Sequence, residues 1–141
     1  MIFDVTDLNI TLKGHCMVEA TDLQGWLLRY PPSVAYWVEV LTQAQLQLRE
    51  LERDYDEHFA GAFAAAYQEP EGGKRPSKEA AEMHAASNPL VLTRRANVDR
   101  LTVIVELAKR AIATLDGSKQ AVKTVLEART AELRALGSGE E

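Results

Sequence analysis

The residues best suited to chemistry are cations that come in pairs. Lys74-Arg75, Arg94-Arg95 and Lys109-Arg110 are adjacent, and Lys119 and Lys123 stand one helical turn apart. Such groups neutralise phosphates. Repeated around a ring of subunits, a few of them per chain build a strong phosphate-binding surface. A single pair of this kind is also what a solvated face looks like. Lys119 and Arg129 are the more informative, because they fall on an otherwise apolar stripe. Two readings are open for them. They line a central groove, or their stems cover apolar surface while the heads reach water or an acid.

Other chemistry has little to stand on. Gly72-Gly73-Lys74 lacks the spacing and the strand–loop–helix context of a phosphate loop, which argues against an ATPase. Asp54 and His58 are four apart and Glu57 is adjacent, yet no second His pair or Glu-x-x-His spacing accompanies them. The expectation for His58 is a partly exposed imidazole bonded to a neighbouring carboxylate. His15-Cys16 is a weak nucleophile signal, and a small buried thiol is the expectation there. No nucleophile stands with a base. The sequence is therefore read as a non-enzyme with no metal site and no cofactor.

The net charge of −5 argues against nucleic acid when averaged, but the charge is split. Residues 1–70 hold four basic residues against eleven acids. Residues 74–136 hold twelve basic residues against seven acids. Either the basic half attracts phosphate, or acidic and basic helices pair with each other. No apolar run reaches the ~18 residues of a membrane span. A single cysteine, Cys16, excludes an internal disulfide framework. The expected compartment is the cytoplasm, with no membrane partner.

Long helices must position these groups. From Ser33 to Tyr67 a heptad pattern recurs, Val34, Leu41, Leu48, Tyr55 and Ala62 interleaved with Trp37, Ala44, Leu51, His58 and Ala65, and every position but His58 is apolar or aromatic. That predicts a rod of roughly 50 Å. A short helix over Leu23–Arg29 is expected to stop at Pro31-Pro32. Residues 68–76 read as a loop, Ser77 as an N-cap and the next stretch as a short helix to Ser87. A last helix is expected from Leu90 to Leu136, continuous through Asp116-Gly117. Its stripe of Leu101, Val105, Ile112, Leu115, Val122, Leu126 and Leu133 looks too wide for one partner helix, so these residues are assigned to oligomerisation. Leu8, Ile10 and Leu12 alternate, and residues 1–20 read as a short hairpin or an extended arm. The fold class is all-α: a long antiparallel helical hairpin with coiled-coil-like packing and short extra helices. The domains are the arm (1–20), a helical oligomerisation and DNA-binding domain (21–136) and a flexible tail (137–141).

The order of these features resembles the UvsY-type recombination mediators of bacteriophages. The resemblance covers about residues 21–136. It is carried by a leading Asp-Leu helix, a first long helix with Trp37 in its opening turn, and an Ala-rich end closing on Tyr67. A Gly/Pro/Lys loop, the helix start Pro76-Ser77-Lys78-Glu79-Ala80-Ala81-Glu82, and a terminal helix with Ala121-Val122-Lys123 and Arg129 complete it. The resemblance implies an all-helical ring of several subunits that binds single-stranded DNA. It implies assistance in loading a RecA-like recombinase onto DNA coated by single-strand binding protein, in an infected bacterial host. Residues 59–67 hold no cation, so DNA contacts are expected from Lys74, Arg75, Arg94, Arg95, Lys109, Arg110, Lys119 and Lys123. The alternative is a helical scaffold or adaptor that binds proteins only.

Overall fold

The structure is a computed structural model, and it describes residues 2–68 and 73–139. Four helices appear among the described residues: α1 (Val5–Cys16), α2 (Leu23–Ala66), α3 (Lys78–Ala86) and α4 (Pro89–Ser138). No strand occurs among them. The all-α class and the pair of long helices are as expected. No helix of the described residues is long and apolar enough to cross a membrane.

The chain forms two compact units. One comprises residues 1–41 with 106–141, and the other residues 42–105. In the first, α1 joins the opening of α2 and the later part of α4. There α2 and α4 run antiparallel: Tyr30 meets Asp116, while Leu23 and Val122 line one groove. In the second, α3 joins the end of α2 and the start of α4. Asp54 meets Arg94, while Ala62 and Val91 line one groove, again antiparallel.

The first twenty residues are neither hairpin nor arm. Asp4 caps α1, its carboxylate accepting from the backbone N–H groups of Thr6 and Asp7. The alternation of Leu8, Ile10 and Leu12 is misleading, because Leu8 is buried and Ile10 faces water. The spacing that matters is Leu8, Leu12 and His15, a helical face.

α2 also runs through Pro31 and Pro32, where a stop was expected. Both rings are exposed, so neither displaces core. The Ser33 hydroxyl donates to the Arg29 carbonyl at 2.9 Å, adding a bond beside the two lost donors. Gly25 has a specific reason. The Asp22 carboxylate arches back to Arg29 (3.2 Å) through the space that a Cβ at Gly25 would fill.

The later elements match expectation more closely. The Ser77 hydroxyl accepts from the Ala80 N–H at 3.1 Å and caps α3. α4 passes Asp116-Gly117 without a break. It ends at Ser138, so the tail expected from residue 137 is helical at its start. Of the expected loop and tail, residues 69–72 and 140–141 lie outside the described residues.

The core corrects the oligomerisation assignment. Leu101, Val105, Leu115 and Val122 are at most 5% exposed within this single chain. Ile104 and Ala111, on the flank of the same stripe, are buried too. The width is therefore spent inside the chain, where each unit has a third helix with buried residues of its own: Leu8 on α1, and Ala81 and Ala85 on α3. Ile112 and Leu126 are half-buried, and Leu133 is 70% exposed. Removing Leu115's side chain should leave a cavity the surrounding helices cannot close. Leu115→Ala is expected to cost about 2–5 kcal/mol in denaturant unfolding.

Two indoles fix α1. Trp37 is completely buried, and its Nε1–H donates to His15 Nδ1 at 3.0 Å. The Trp26 Nε1–H donates to the His15 carbonyl at 3.1 Å. Tyr36 and Trp37 both meet the His15 ring edge-on. A proton on Nδ1 would face the indole N–H, and burial already holds this imidazole below its ordinary value of 6.5. The folded state therefore binds fewer protons than the unfolded one here. The stabilisation is complete above about pH 6.5 and is lost as pH falls through the lower, folded-state value. Melting temperatures between pH 7.5 and 5 should fall for the parent. His15→Gln, which keeps an acceptor but does not titrate, should flatten that fall.

Candidate nucleic-acid interface

The expected phosphate ligands sit in very different surroundings. In the first unit, Lys109, Arg110 and Lys123 are exposed on α4. Lys109 reaches Glu106 at 3.5 Å on its own helix. Lys119 is half-buried, with its ammonium 4.9 Å from the centre of the Tyr30 ring. The Tyr30 hydroxyl donates to Asp116 at 3.5 Å, and burial together with that carboxylate pushes the phenol above its ordinary value. Lys119 is thus one side of a Lys–Tyr–Asp cluster. Arg129 is the other cation of the stripe. It donates through both terminal nitrogens to the Ala20 carbonyl, at 3.3 and 3.4 Å. Its work in this chain is to hold the link between α1 and α2 against α4.

In the second unit, neighbours in sequence part company. Arg94 turns toward α2 and meets Asp54 at 3.1 Å, while Asp54 also lies 3.3 Å from His58 Nδ1. The closer partner of His58 Nδ1 is the Asp54 backbone carbonyl at 2.8 Å, so the expected carboxylate stands beside the ring rather than making its shortest contact. Arg95, about 100° further round the helix, stays exposed, pairs with Asp99 at 3.3 Å, and stands over the Tyr55 ring at 5.7 Å. Tyr55 first, then Asp99, hold its guanidinium still more firmly protonated. Lys74 and Arg75 are both exposed, and Arg75 stands over Tyr67 at 4.9 Å.

One feature of this unit is absent from the list of cations. Tyr55, Phe59 and Phe63 recur every fourth residue on α2, Tyr67 follows in the turn just past its end with its N–H on the Phe63 carbonyl, and all four are half-buried. Tyr55 and Phe59 lie 6.0 Å apart, and Phe63 and Tyr67 stack at 5.3 Å with 15° between planes. The i, i+4 spacing was visible in sequence, but the heptad pattern put Tyr55 on the apolar stripe and left Phe59 and Phe63 unassigned, while Tyr67 alone read as either a buried ring or a base-stacking one.

The remaining clefts are shallow. One of about 350 Å³ lies among Glu57, His58, Gly61, Ala62, Asn88, Leu90 and Val91. Among the described residues, no three His, Cys, Asp or Glu side chains converge as metal ligands. Burial pushes the Cys16 thiol up, the opposite of what activates a nucleophile.

No family model and no curated relative matches this sequence. Solved structures do. Crystal structures of the bacteriophage T4 recombination mediator protein UvsY superpose with TM-scores of 0.80, 0.81 and 0.76 in three lattice types. The first two share 14% identity with this chain and the third 15%. The first match covers 94% of this chain and 99% of the T4 protein, and the third still covers 89% and 98%. Over nearly its whole length, this chain has the fold of UvsY.

Proposed function

We propose that this protein is a recombination mediator without enzymatic activity. It binds single-stranded DNA as a homo-oligomer and assists loading of a RecA-like recombinase onto DNA coated by single-strand binding protein. The observation that carries the reading is the likeness to a recombination mediator along the whole chain rather than in one module. The exposed cations supply the means. Among the described residues, Lys74, Arg110 and Lys123 make no ion pair, and Lys109 pairs with Glu106 on its own helix. Phosphate contacts of this kind need no enclosed pocket, in keeping with the shallow clefts.

The assembly surface in this reading is the end of α4. Residues 127–139 are all exposed, yet the core-facing stripe continues through them. Val125, Leu133 and Leu136 are 43%, 70% and 71% exposed. A helix end with an uncovered apolar stripe gains by packing against its copies. Light scattering is expected to find a defined species larger than a dimer. Leu133→Ser/Leu136→Ser should shift it toward smaller species while helix content holds, and a monomeric parent at micromolar concentration would end the oligomer reading.

A salt titration of binding to oligo-dT tests the function. Each neutralised phosphate contributes roughly −0.7 to the slope of log affinity against log salt. Lys109→Ala/Arg110→Ala/Lys123→Ala should flatten the slope without changing oligomer size. Lys119→Ala alone should flatten it less, because that ammonium is committed to Tyr30. A parent with no salt-dependent binding would favour the protein-only scaffold.

A further inference from the structure

We propose that the Tyr55–Phe59–Phe63 face of α2 and Tyr67 just past its end, with Arg95 and Arg75 over the two ends of the row, form a base-stacking platform for single-stranded nucleic acid. The proposal rests on the single-strand reading above and adds the groups that hold the bases. Four rings at every fourth residue place one ring per ~6 Å along the helix. That is close to two steps of a stacked strand, at ~3.4 Å each. The Phe63–Tyr67 pair is already stacked, at 15° between planes, whereas Tyr55 and Phe59 are tilted by 33°.

The arginines show that these rings reach the surface. Arg75 is exposed, and the Arg95 side chain is 60% exposed, yet each stands over a tyrosine at 4.9 and 5.7 Å. A planar guanidinium on an outer ring face occupies the place that a base would take. Base stacking on an aromatic ring is worth more than an exposed cation–π contact. A base can therefore replace the guanidinium, which then meets the phosphate of the same nucleotide. The ladder itself carries no cation from residue 59 to 67, so its contribution is to bases and not to backbone. Asp56 and Glu57 lie toward the Tyr55 end, whereas Lys74, Arg75 and Lys78 follow the Tyr67 end. Electrostatics favour the Phe63–Tyr67 stack as the principal contact.

Binding of oligo-dT is compared with binding of an equally long abasic deoxyribose-phosphate strand, at two salt concentrations. Stacking on aromatic rings contributes roughly five- to 150-fold per base, so the parent should prefer oligo-dT by at least about tenfold. Phe63→Leu/Tyr67→Leu, which keeps apolar bulk but removes both rings, should erase most of that preference and leave the salt slope unchanged. Its helix content and oligomer size are measured alongside. Salt-dependent binding with no preference for oligo-dT in the parent would overturn the platform and leave the single-strand reading standing. No salt-dependent binding to either strand would overturn both.

Discussion

A completely buried indole carries one polar group that water cannot reach. For Trp37 that group ends on the imidazole of His15, and Trp26 makes a parallel demand that the His15 carbonyl meets. One residue near the end of α1 thereby satisfies two side chains of α2. Leaving either N–H unpaired inside the protein would cost about 1–3 kcal/mol. α1 must therefore be a helix, and must be in register, for the core beneath it to close. The Asp4 cap and buried Leu8 serve the same end from the beginning of that helix. The fold's first unit follows from polar satisfaction as much as from apolar area.

The surface chemistry obeys a related economy. Most cations that approach another element find an aromatic ring, a carboxylate or a carbonyl: Lys119 finds Tyr30, Arg94 finds Asp54, Arg129 finds Ala20. These contacts fix side chains that would otherwise be mobile. What is left for a polyanion is a sparse set of cations, which a single chain could not turn into tight binding. In the proposed oligomer, sparse charge and an uncovered stripe on the end of α4 make sense together, because copies would multiply both.

Much of the architecture was legible in the sequence, since heptad spacing and caps are local signals. The paired long helices, the Ser77 cap and the passage through Asp116-Gly117 all follow from such signals. Three features did not. Leu8, Ile10 and Leu12 alternate by coincidence with Asn9 and Thr11, and only the Asp4 cap separates that pattern from a strand. Pro31-Pro32 reads as a stop because nothing local reveals that both rings face water. The stripe on α4 was legible, but its partners were not: width alone does not distinguish another subunit from two short helices of the same chain. The candidate site was least legible. Adjacent arginines at 94 and 95 look equivalent in sequence and differ by a third of a helical turn in direction.

The two prolines within α2 also bear on how that helix is held. Residues 31 and 32 cannot donate to the carbonyls of 27 and 28, so two successive rungs of the ladder are missing. Helical order passes only weakly across that gap from the long segment that follows. The segment from Leu23 to Tyr30 is then ordered from the side, by its own buried Trp26 bonded to the His15 carbonyl of α1 and by Asp116 across from Tyr30. In local unfolding it behaves as part of the layer it packs on, and amide exchange there tracks the docking of α1 rather than the breathing of α2.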